Sequence, residues 1–229
     1  LKNLIIGYRS KHQLRAIASP VHASLQAGEL TCLIGANGVG KSTLLRTLAG
    51  FQPALDGEIL IQDKSLSDFS AQELAREISI VLTSKTDHAQ LSAEEIVGIG
   101  RSPYTGFWGT LSAADKQIVA SALQETGIQH LAQRNISELS DGERQKVMIA
   151  KALAQQTRII ILDEPTVGLD PRQITEIREL IQKLGENKTV ILSSHILGEV
   201  QAVCERLLIL SKGKLVACDT PANLEKQMS

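Results

Sequence analysis

Residues 35–42 have the sequence Gly35-Ala36-Asn37-Gly38-Val39-Gly40-Lys41-Ser42, which fits the phosphate-binding pattern G-x-x-x-x-G-K-[ST]. Glycines in such a loop let backbone N–H groups turn toward one anion at φ angles that other residues avoid. Residues 30–34, four of which are apolar, are typical of a buried strand, and residues 41–49 are typical of a helix. Because the positive end of that helix points at the same anion, the segment predicts a strand, loop and helix that bind nucleotide phosphates.

The side chains at the end of this phosphate loop (residues 35–42) have separate predicted roles. Lys41 would reach the β- and γ-phosphates, Ser42 would coordinate Mg²⁺, and Thr43 would place a hydroxyl near the α-phosphate. A dinucleotide-binding site fits less well, because the spacing is not G-x-G-x-x-G and that site needs no lysine here. The predicted nucleotide-binding residues of this segment are Gly35, Asn37, Gly38, Gly40, Lys41, Ser42 and Thr43.

Two further strands would bring catalytic side chains to the same edge of a sheet. The apolar run at residues 159–162 ends in Asp163 and Glu164, and carboxyl ends of parallel strands are where ligands bind in open α/β folds. Asp163 would hold Mg²⁺ through water, and Glu164 would polarise the water that attacks the γ-phosphate. His195 follows a predicted strand at residues 189–192, so a neutral imidazole could bind the γ-phosphate and fix that water. A structural or solvated histidine is the alternative interpretation.

Composition limits the classes of partner. The 229 residues carry 24 Lys and Arg against 25 Asp and Glu, a formal net charge of −1. This balance disfavours nucleic acid, because a general nucleic-acid binder shows a marked basic excess. Three cysteines (Cys32, Cys204 and Cys218) form neither a disulfide framework nor a zinc pattern, which is typical of a reducing compartment. No apolar run approaches the ~20 residues that span a bilayer, so we expect any membrane association to be peripheral and made through a partner.

Strand and helix patterns alternate along the chain, which predicts an α/β protein with a largely parallel sheet. Between residues 83 and 156 helix signals dominate: Ser112 with Asp115 predicts a capping box, and Gly127 predicts the end of that helix. The simplest architecture is one α/β nucleotide-binding core with a mainly helical insertion. The other predicted elements are strands at 58–61 and 78–82, a helix at 171–184, a helix after His195, and a hairpin of 206–210 with 214–217.

The phosphate loop and the residues at the strand ends, together with three further motifs, make the chain resemble one large family, the ATP-binding cassette (ABC) ATPases. The most specific motif is Leu139-Ser140-Asp141-Gly142-Glu143-Arg144-Gln145, which is similar to the family signature Leu-Ser-Gly-Gly-Gln. Residues 162–166 and 168–171 match its Walker B and D-loop run, and Ser193-Ser194-His195 resembles its switch histidine. The resemblance implies one ABC ATPase domain over residues 1–229, with an antiparallel β subdomain. Its P-loop NTPase α/β core would be 1–83 and 157–229, and its helical subdomain insertion about 84–156.

The resemblance also implies how ATP is bound. Tyr8 lies where the family places an aromatic ring on adenine. In the family, the signature of one subunit caps the ATP bound by the other, so Ser140 and Gly142 are expected to contact nucleotide in a head-to-tail homodimer that encloses two ATP molecules. A helix N-terminus, a hydroxyl and a backbone N–H converge there, which suits an anion.

The chain departs from the family pattern at three positions. Thr83 stands where the family has the Q-loop glutamine, which contacts Mg²⁺ and links the core to the helical insertion; the Thr83 hydroxyl could reach the metal through water. Asp141 and Glu143 replace a glycine and a glutamine of the signature. Carboxylates beside a γ-phosphate are unfavourable unless they point away or pair with Arg144 or Lys146.

The segment Gly100-Arg101-Ser102-Pro103-Tyr104-Thr105-Gly106-Phe107-Trp108-Gly109 resembles the ATPases of importers for iron-siderophores, haem and cobalamin. Such a subunit would work at the cytoplasmic face of the inner membrane with permease subunits and, indirectly, a solute-binding protein. The aromatic cluster could dock a membrane subunit, or the rings could pack inside the helical insertion. Two other classes remain: a soluble ABC ATPase, for example in metal-cluster assembly, and a P-loop GTPase, although Asn187-Lys188-Thr189-Val190 lacks the aspartate of N-K-x-D.

Overall fold

The structure is a computed structural model, and it describes residues 1–10, 13–82, 90–196 and 203–228. Its strands in chain order are β1 (Lys2–Ser10), β2 (Gln13–Val21), β3 (Leu30–Ile34), β4 (Asp56–Glu58), β5 (Leu60–Ile61), β6 (Lys64–Ser65), β7 (Ile78–Val81), β8 (Ile159–Leu162), β9 (Thr189–Ser194), β10 (Arg206–Ser211) and β11 (Lys214–Asp219). Its described α-helices are α1 (Lys41–Leu48), α2 (Ala71–Glu77), α3 (Ala93–Ile99), α4 (Ala113–Glu125), α5 (Asp141–Ala154), α6 (Pro171–Gly185) and α7 (Pro221–Met228). Within these ranges, none of the helices combines the length and apolar content that a bilayer crossing needs.

A six-stranded sheet in the order β11-β10-β3-β9-β8-β7 forms the centre of the molecule. Its strands run parallel except β11, which closes the predicted hairpin with β10. β3 is buried along its whole length, as expected for a parallel strand covered on both faces. β9 lies between β3 and β8, with Ser194 opposite Ile34 and Leu192 opposite Leu162. The carboxyl ends of these three strands therefore meet at one edge, which confirms the predicted α/β arrangement.

A second sheet, in the order β2-β1-β4, is antiparallel and packs on the first through a shared core. The predicted strand at residues 58–61 is wrong, because the chain divides it between two sheets: β4 pairs with β1, and β5 pairs with β6. β4 has three residues, and its middle residue, Gly57, has a φ of +82° and lies against the Asn3 backbone. Gln62 and Asp63, at φ +48° and +64°, then form a tight hairpin turn that sends β6 back along β5.

Helices α3, α4 and α5 pack together and share a hydrophobic core with the parallel sheet. The predicted capping box at the start of α4 is confirmed: Ser112 Oγ accepts from the Asp115 N–H, and the Asp115 carboxylate accepts from the Ser112 N–H. Gly127, at φ +72°, follows the end of this helix as predicted. The helical layer begins after β7 and ends before β8, so it is an insertion between two neighbouring strands of the sheet.

A buried arginine after α3 joins the helices of this layer to one another. Arg101 Nε donates to Asp115 Oδ1 at 2.8 Å, and Arg101 Nη1 donates to the Ala154 carbonyl at 2.8 Å. The guanidinium lies 4.1 Å from the centre of the Tyr104 ring, and the Tyr104 hydroxyl donates to the Gln155 carbonyl at 3.1 Å. These contacts fix the segment after α3 against the end of α5, directly before β8 begins.

Removing the charge of Asp115 is expected to destabilise the fold in a pH-dependent way. Hydrogen bonds from Ser112 and Arg101 lower the pKa of Asp115 from 3.8 to about 2, so ionisation favours the folded state. That stability is fully present above the unfolded pKa of 3.8 and is lost as the pH falls through about 2. Asp115→Asn should therefore lower Tm at neutral pH, and its gap to the parent should shrink in acid. Asp68→Asn, at an exposed carboxylate, is the control, and a gap that does not vary with pH would contradict the assignment.

Candidate active site

The phosphate loop connects β3 to α1 in a conformation that depends on its glycines. Gly38 and Gly40 have φ angles of +77° and +111°, which side-chain-bearing residues rarely adopt. At Gly35 a Cβ atom would lie 2.6 Å from the Leu210 carbonyl oxygen, so β10 leaves no space for a side chain. The loop is therefore folded tightly at the carboxyl edge of the sheet, where sequence analysis places it.

Lys41 is 4% exposed and holds its ammonium between the loop and the end of β8. Its Nζ donates to the Gly35 carbonyl at 2.8 Å and to the Ala36 carbonyl at 3.3 Å. The same Nζ lies 3.0 Å from Glu164 Oε1 in an ion pair. A buried cation thus links the phosphate loop to the carboxylate predicted to act on water.

Asp163 joins three elements of the site. Ser42 Oγ on α1 donates to Asp163 Oδ1 at 3.0 Å, and Ser193 Oγ on β9 donates to the same oxygen at 2.8 Å. Ser193 Oγ also accepts from the Glu164 N–H at 2.9 Å. Sequence analysis gave Ser193 no role of its own. The signal for one was its place two residues before His195, at the end of a strand that pairs with β8.

The Ser42 hydroxyl and the Asp163 carboxylate place two hard oxygen donors side by side. Mg²⁺ prefers such oxygen ligands, and it is usually bound by one or two protein groups together with phosphate oxygens and water. The residues present therefore fit the metal that sequence analysis predicts.

Glu164 and His195 meet at the open side of this cluster. Glu164 has a φ of +47°, an uncommon left-handed conformation for a residue other than glycine. Its Oε1 lies 3.7 Å from His195 Nδ1, and the imidazole side chain is 36% exposed. The structure therefore brings Lys41, Glu164 and His195 together, as the sequence-based hypothesis requires, with the histidine partly exposed.

Tyr8 lies beside the start of α1. Its hydroxyl is 3.2 Å from Thr43 Oγ1, and the residue is 48% exposed. An exposed ring on β1 next to the phosphate loop can stack on a flat ligand whose phosphates are held in the loop. The predicted adenine contact and the predicted α-phosphate contact are therefore neighbours.

The signature segment (residues 139–145) forms a separate group at the start of α5. Ser140 is the N-cap of this helix, and the side-chain hydrogen bonds described for it are both to Glu143. Gly142 is buried, and a Cβ there would lie 2.8 Å from the Gln173 side chain on α6. In a single chain, Ser140 and Gly142 thus contact Glu143 and Gln173 instead of the phosphate-loop cluster.

The two acidic departures in this segment have different partners: Glu143 bonds to Ser140, and Asp141 pairs with an arginine. Asp141 Oδ1 lies 2.8 Å from Arg144 Nη2, which is one of the pairings that the sequence predicts. Lys146 is engaged elsewhere, 2.7 Å from Glu176 Oε2 on α6.

Two sequence predictions, the metal contact of Thr83 and a helix after His195, fall at least partly on residues 83–89 and 197–202, outside the described residues.

The site combines a glycine-rich loop at the carboxyl edge of a parallel sheet with a buried lysine, a Ser–Asp oxygen pair and an adjacent glutamate. Together these features define a P-loop nucleoside-triphosphate hydrolase. The family model for ABC transporters matches residues 18–167, which is more than half of the chain. The chain therefore belongs to the ABC transporter family, and as an ATP-binding subunit of that family it is an ATPase.

Curated relatives and solved structures agree with this assignment. The chain is 34% identical over 217 residues to the iron(3+)-hydroxamate import ATP-binding protein FhuC of Bacillus subtilis, covering 94% of this chain and 79% of FhuC. It is 36% identical over 220 residues to the hemin import ATP-binding protein HmuV of Bordetella pertussis, covering 91% and 82%. The dimeric post-hydrolysis structure of the ATP-binding cassette MJ0796 with ADP and Pi superposes with a TM-score of 0.83 at 26% identity, covering 96% and 97%. The predicted cassette fold is confirmed.

Proposed function

We propose that this chain is the ATP-hydrolysing subunit of an importer that takes up an iron-siderophore, haem or cobalamin-like solute through a separate membrane permease. The observation that carries the importer role is sequence similarity. Over more than nine tenths of its length, the chain shares sequence identity with proteins named for hydroxamate and hemin import. In that role it works peripherally at the cytoplasmic face of the inner membrane. A solute-binding protein would act indirectly, on the permease.

Hydrolysis is proposed to proceed by direct attack of water on the γ-phosphorus. Lys41 holds the β- and γ-phosphate oxygens, and Glu164 Oε1, freed from its ion pair by the phosphates, accepts a proton from the water. The oxygen–phosphorus bond to the γ-phosphate breaks, and ADP and inorganic phosphate leave. His195 binds a γ-phosphate oxygen and keeps the water in line with that bond.

Ser42 and Asp163 are the proposed Mg²⁺ holders, with Asp163 acting through water. The metal would supply positive charge to the β- and γ-phosphate oxygens. Ser193 donates to the same Asp163 oxygen as Ser42 and so helps to fix the carboxylate, and a water-mediated contact of Thr83 stays a prediction.

A complete site is proposed to need two copies of the chain. Ser140 and Gly142 of one copy would cap the ATP whose phosphates lie on Lys41 of the other, while Tyr8 stacks on adenine. A dimeric cassette holding ADP and Pi has the same fold, which supports this arrangement. The helical insertion at about 84–156 would then carry the signature, while the core at 1–83 and 157–229 carries the phosphate loop.

A soluble ABC ATPase is the second candidate function, and the surface near α3 argues against it. Phe107 and Trp108 are 96% and 87% exposed, and their rings meet edge-to-face at 5.4 Å. Packing of the rings inside the insertion, one of the two interpretations from the sequence, is therefore wrong for Phe107 and Trp108, and Tyr104 lies against Arg101 while 37% exposed. Two fully exposed aromatic rings side by side are typical of a protein contact surface.

Removing both rings is expected to weaken capture of a permease while leaving ATP hydrolysis by the isolated chain unchanged. The tagged chain would be purified from detergent extracts of its native cells, and a polytopic membrane protein should copurify. Phe107→Ala with Trp108→Ala should reduce its recovery by about 10-fold or more, because exposed aromatic anchors dominate interface energies. Leu14→Ala, at another exposed apolar side chain, is the control.

The possible outcomes separate the two functions. Copurification that the aromatic variant does not reduce would contradict the docking role of Phe107 and Trp108. If no permease copurifies with any form of the chain, the importer function is wrong and a soluble ATPase is favoured.

A further inference from the structure

The signature segment contains a carboxylate that holds the serine proposed to contact ATP. Glu143 Oε2 accepts from the Ser140 N–H and from the Ser140 hydroxyl, both at 2.8 Å. The Glu143 N–H donates back to Ser140 Oγ at 3.3 Å. The side chain of Glu143 therefore engages the hydroxyl proton and the backbone proton of Ser140 within one subunit.

The carboxylates of Glu143 and its neighbour Asp141 have different partners. Asp141 is paired with Arg144 at 2.8 Å and lies at the surface. Hydrogen bonds from the Ser140 backbone and side chain lower the pKa of Glu143, with smaller contributions from the nearby Arg134 and His130 charges. Glu143 is thus an ionised acceptor that is bonded to Ser140 and makes no described ion pair of its own.

A serine hydroxyl has one proton to donate, so Ser140 can donate it to Glu143 or to a phosphate oxygen, but not to both. A γ-phosphate that approaches Ser140 from a facing subunit also brings negative charge toward the Glu143 carboxylate, which disfavours contact. ADP has no γ-phosphate and would leave the Ser140–Glu143 pair intact.

We propose that Glu143 is a positioning residue that keeps Ser140 bonded within its own subunit until the γ-phosphate of the facing subunit's ATP takes over the hydroxyl, and that it thereby sets the ATP concentration at which two subunits close. This inference rests on the proposed head-to-tail dimer. The Ser140–Glu143 bond makes the signature selective for ATP over ADP. Closure of the dimer requires a phosphate oxygen that can replace the Glu143 carboxylate as the acceptor of the Ser140 hydroxyl.

Glu143→Gln tests the proposal with little risk to folding, because the glutamine oxygen can still accept from the N-cap N–H. The substitution is made in the Glu164→Gln chain, so that ATP is not consumed, and dimer formation is followed by sedimentation velocity across ATP concentrations. At low salt, Glu143→Gln should lower the ATP concentration for half-maximal dimer by about 10-fold, since it removes the competing charge. The difference should shrink between about 0.05 and 0.5 M NaCl, because salt screens it.

Asp141→Asn is the matched control, since it removes a carboxylate from the same helical turn without touching Ser140. It should change the half-maximal ATP concentration by less than about 2-fold, because the Asp141 charge is already paired. An equal effect of both substitutions would show general electrostatics and overturn the positioning role.

The outcomes also separate this inference from the proposed function. If ATP drives dimer formation equally well with and without Glu143→Gln, the inference fails while the head-to-tail dimer stands. If neither chain dimerises with ATP, the proposed dimer fails and the inference fails with it. Equal Tm values for the two chains would confirm that any difference does not come from folding.

Discussion

Lys41→Ala is expected to lower ATP hydrolysis by about 10²- to 10³-fold, the loss typical of removing one preorganised charge from a transition state. The ammonium is the buried cation that joins the Gly35 and Ala36 carbonyls to Glu164. Without it, the β- and γ-phosphate oxygens lose their point charge, and Glu164 is left facing the phosphates uncompensated. Binding and turnover should both fall, because the charge acts on bound ATP and on the transition state.

Steady-state phosphate release measures this effect directly. Lys64→Ala is the matched control, because the described contacts of Lys64 are surface ones, 3.7 Å from Glu73 and 4.1 Å from the centre of the Phe69 ring, and the variant should keep parental activity. Turnover of Lys41→Ala within a few-fold of the parent would show that Lys41 does not act on the phosphates.

Glu164→Gln is expected to bind ATP but to hydrolyse it about 10²- to 10⁴-fold more slowly, since the amide cannot accept the proton of the attacking water. The size and the oxygen near Lys41 are kept, so the phosphate loop should remain formed. Because ATP would bridge two copies and persist, this chain should form a stable dimer in ATP and remain monomeric in ADP.

Single-turnover hydrolysis and size measurements separate the two parts of this prediction. Glu179→Gln, at an exposed carboxylate on α6, should behave as the parent in both. Unaltered single-turnover rates would remove Glu164 from the chemistry, whereas slow hydrolysis without a dimer would keep its role and contradict only the bridging by ATP.

The parts of the fold that sequence predicts best are those encoded by continuous local patterns. The strands β3 and β8 match residues 30–34 and 159–162, because a run of mostly apolar residues in a parallel strand has clear boundaries. The division of residues 58–61 between β4 and β5 could not be predicted, because it depends on the pairing of β4 with the distant strand β1. Such pairings are set by tertiary contacts that local propensity does not contain.

The candidate site shows the same limit. Lys41, Asp163, Glu164 and His195 follow from motifs at strand ends, and the structure places them together. The bond from Ser193 to Asp163 required the knowledge that β9 lies directly beside β8. For Glu143, the sequence analysis weighed only an unfavourable charge near phosphate, although Ser140 and Glu143 have the spacing of a capping box; the geometry shows the carboxylate bound to Ser140.

A structure of the Glu164→Gln chain with Mg·ATP would examine the proposed ATP sandwich at atomic detail. We predict two copies arranged head to tail, each γ-phosphate lying within hydrogen-bond distance of Lys41 from one copy and Ser140 from the other. Assemblies in which Lys41 and Ser140 of facing copies share no γ-phosphate, or a chain that stays monomeric with ATP bound, would contradict it.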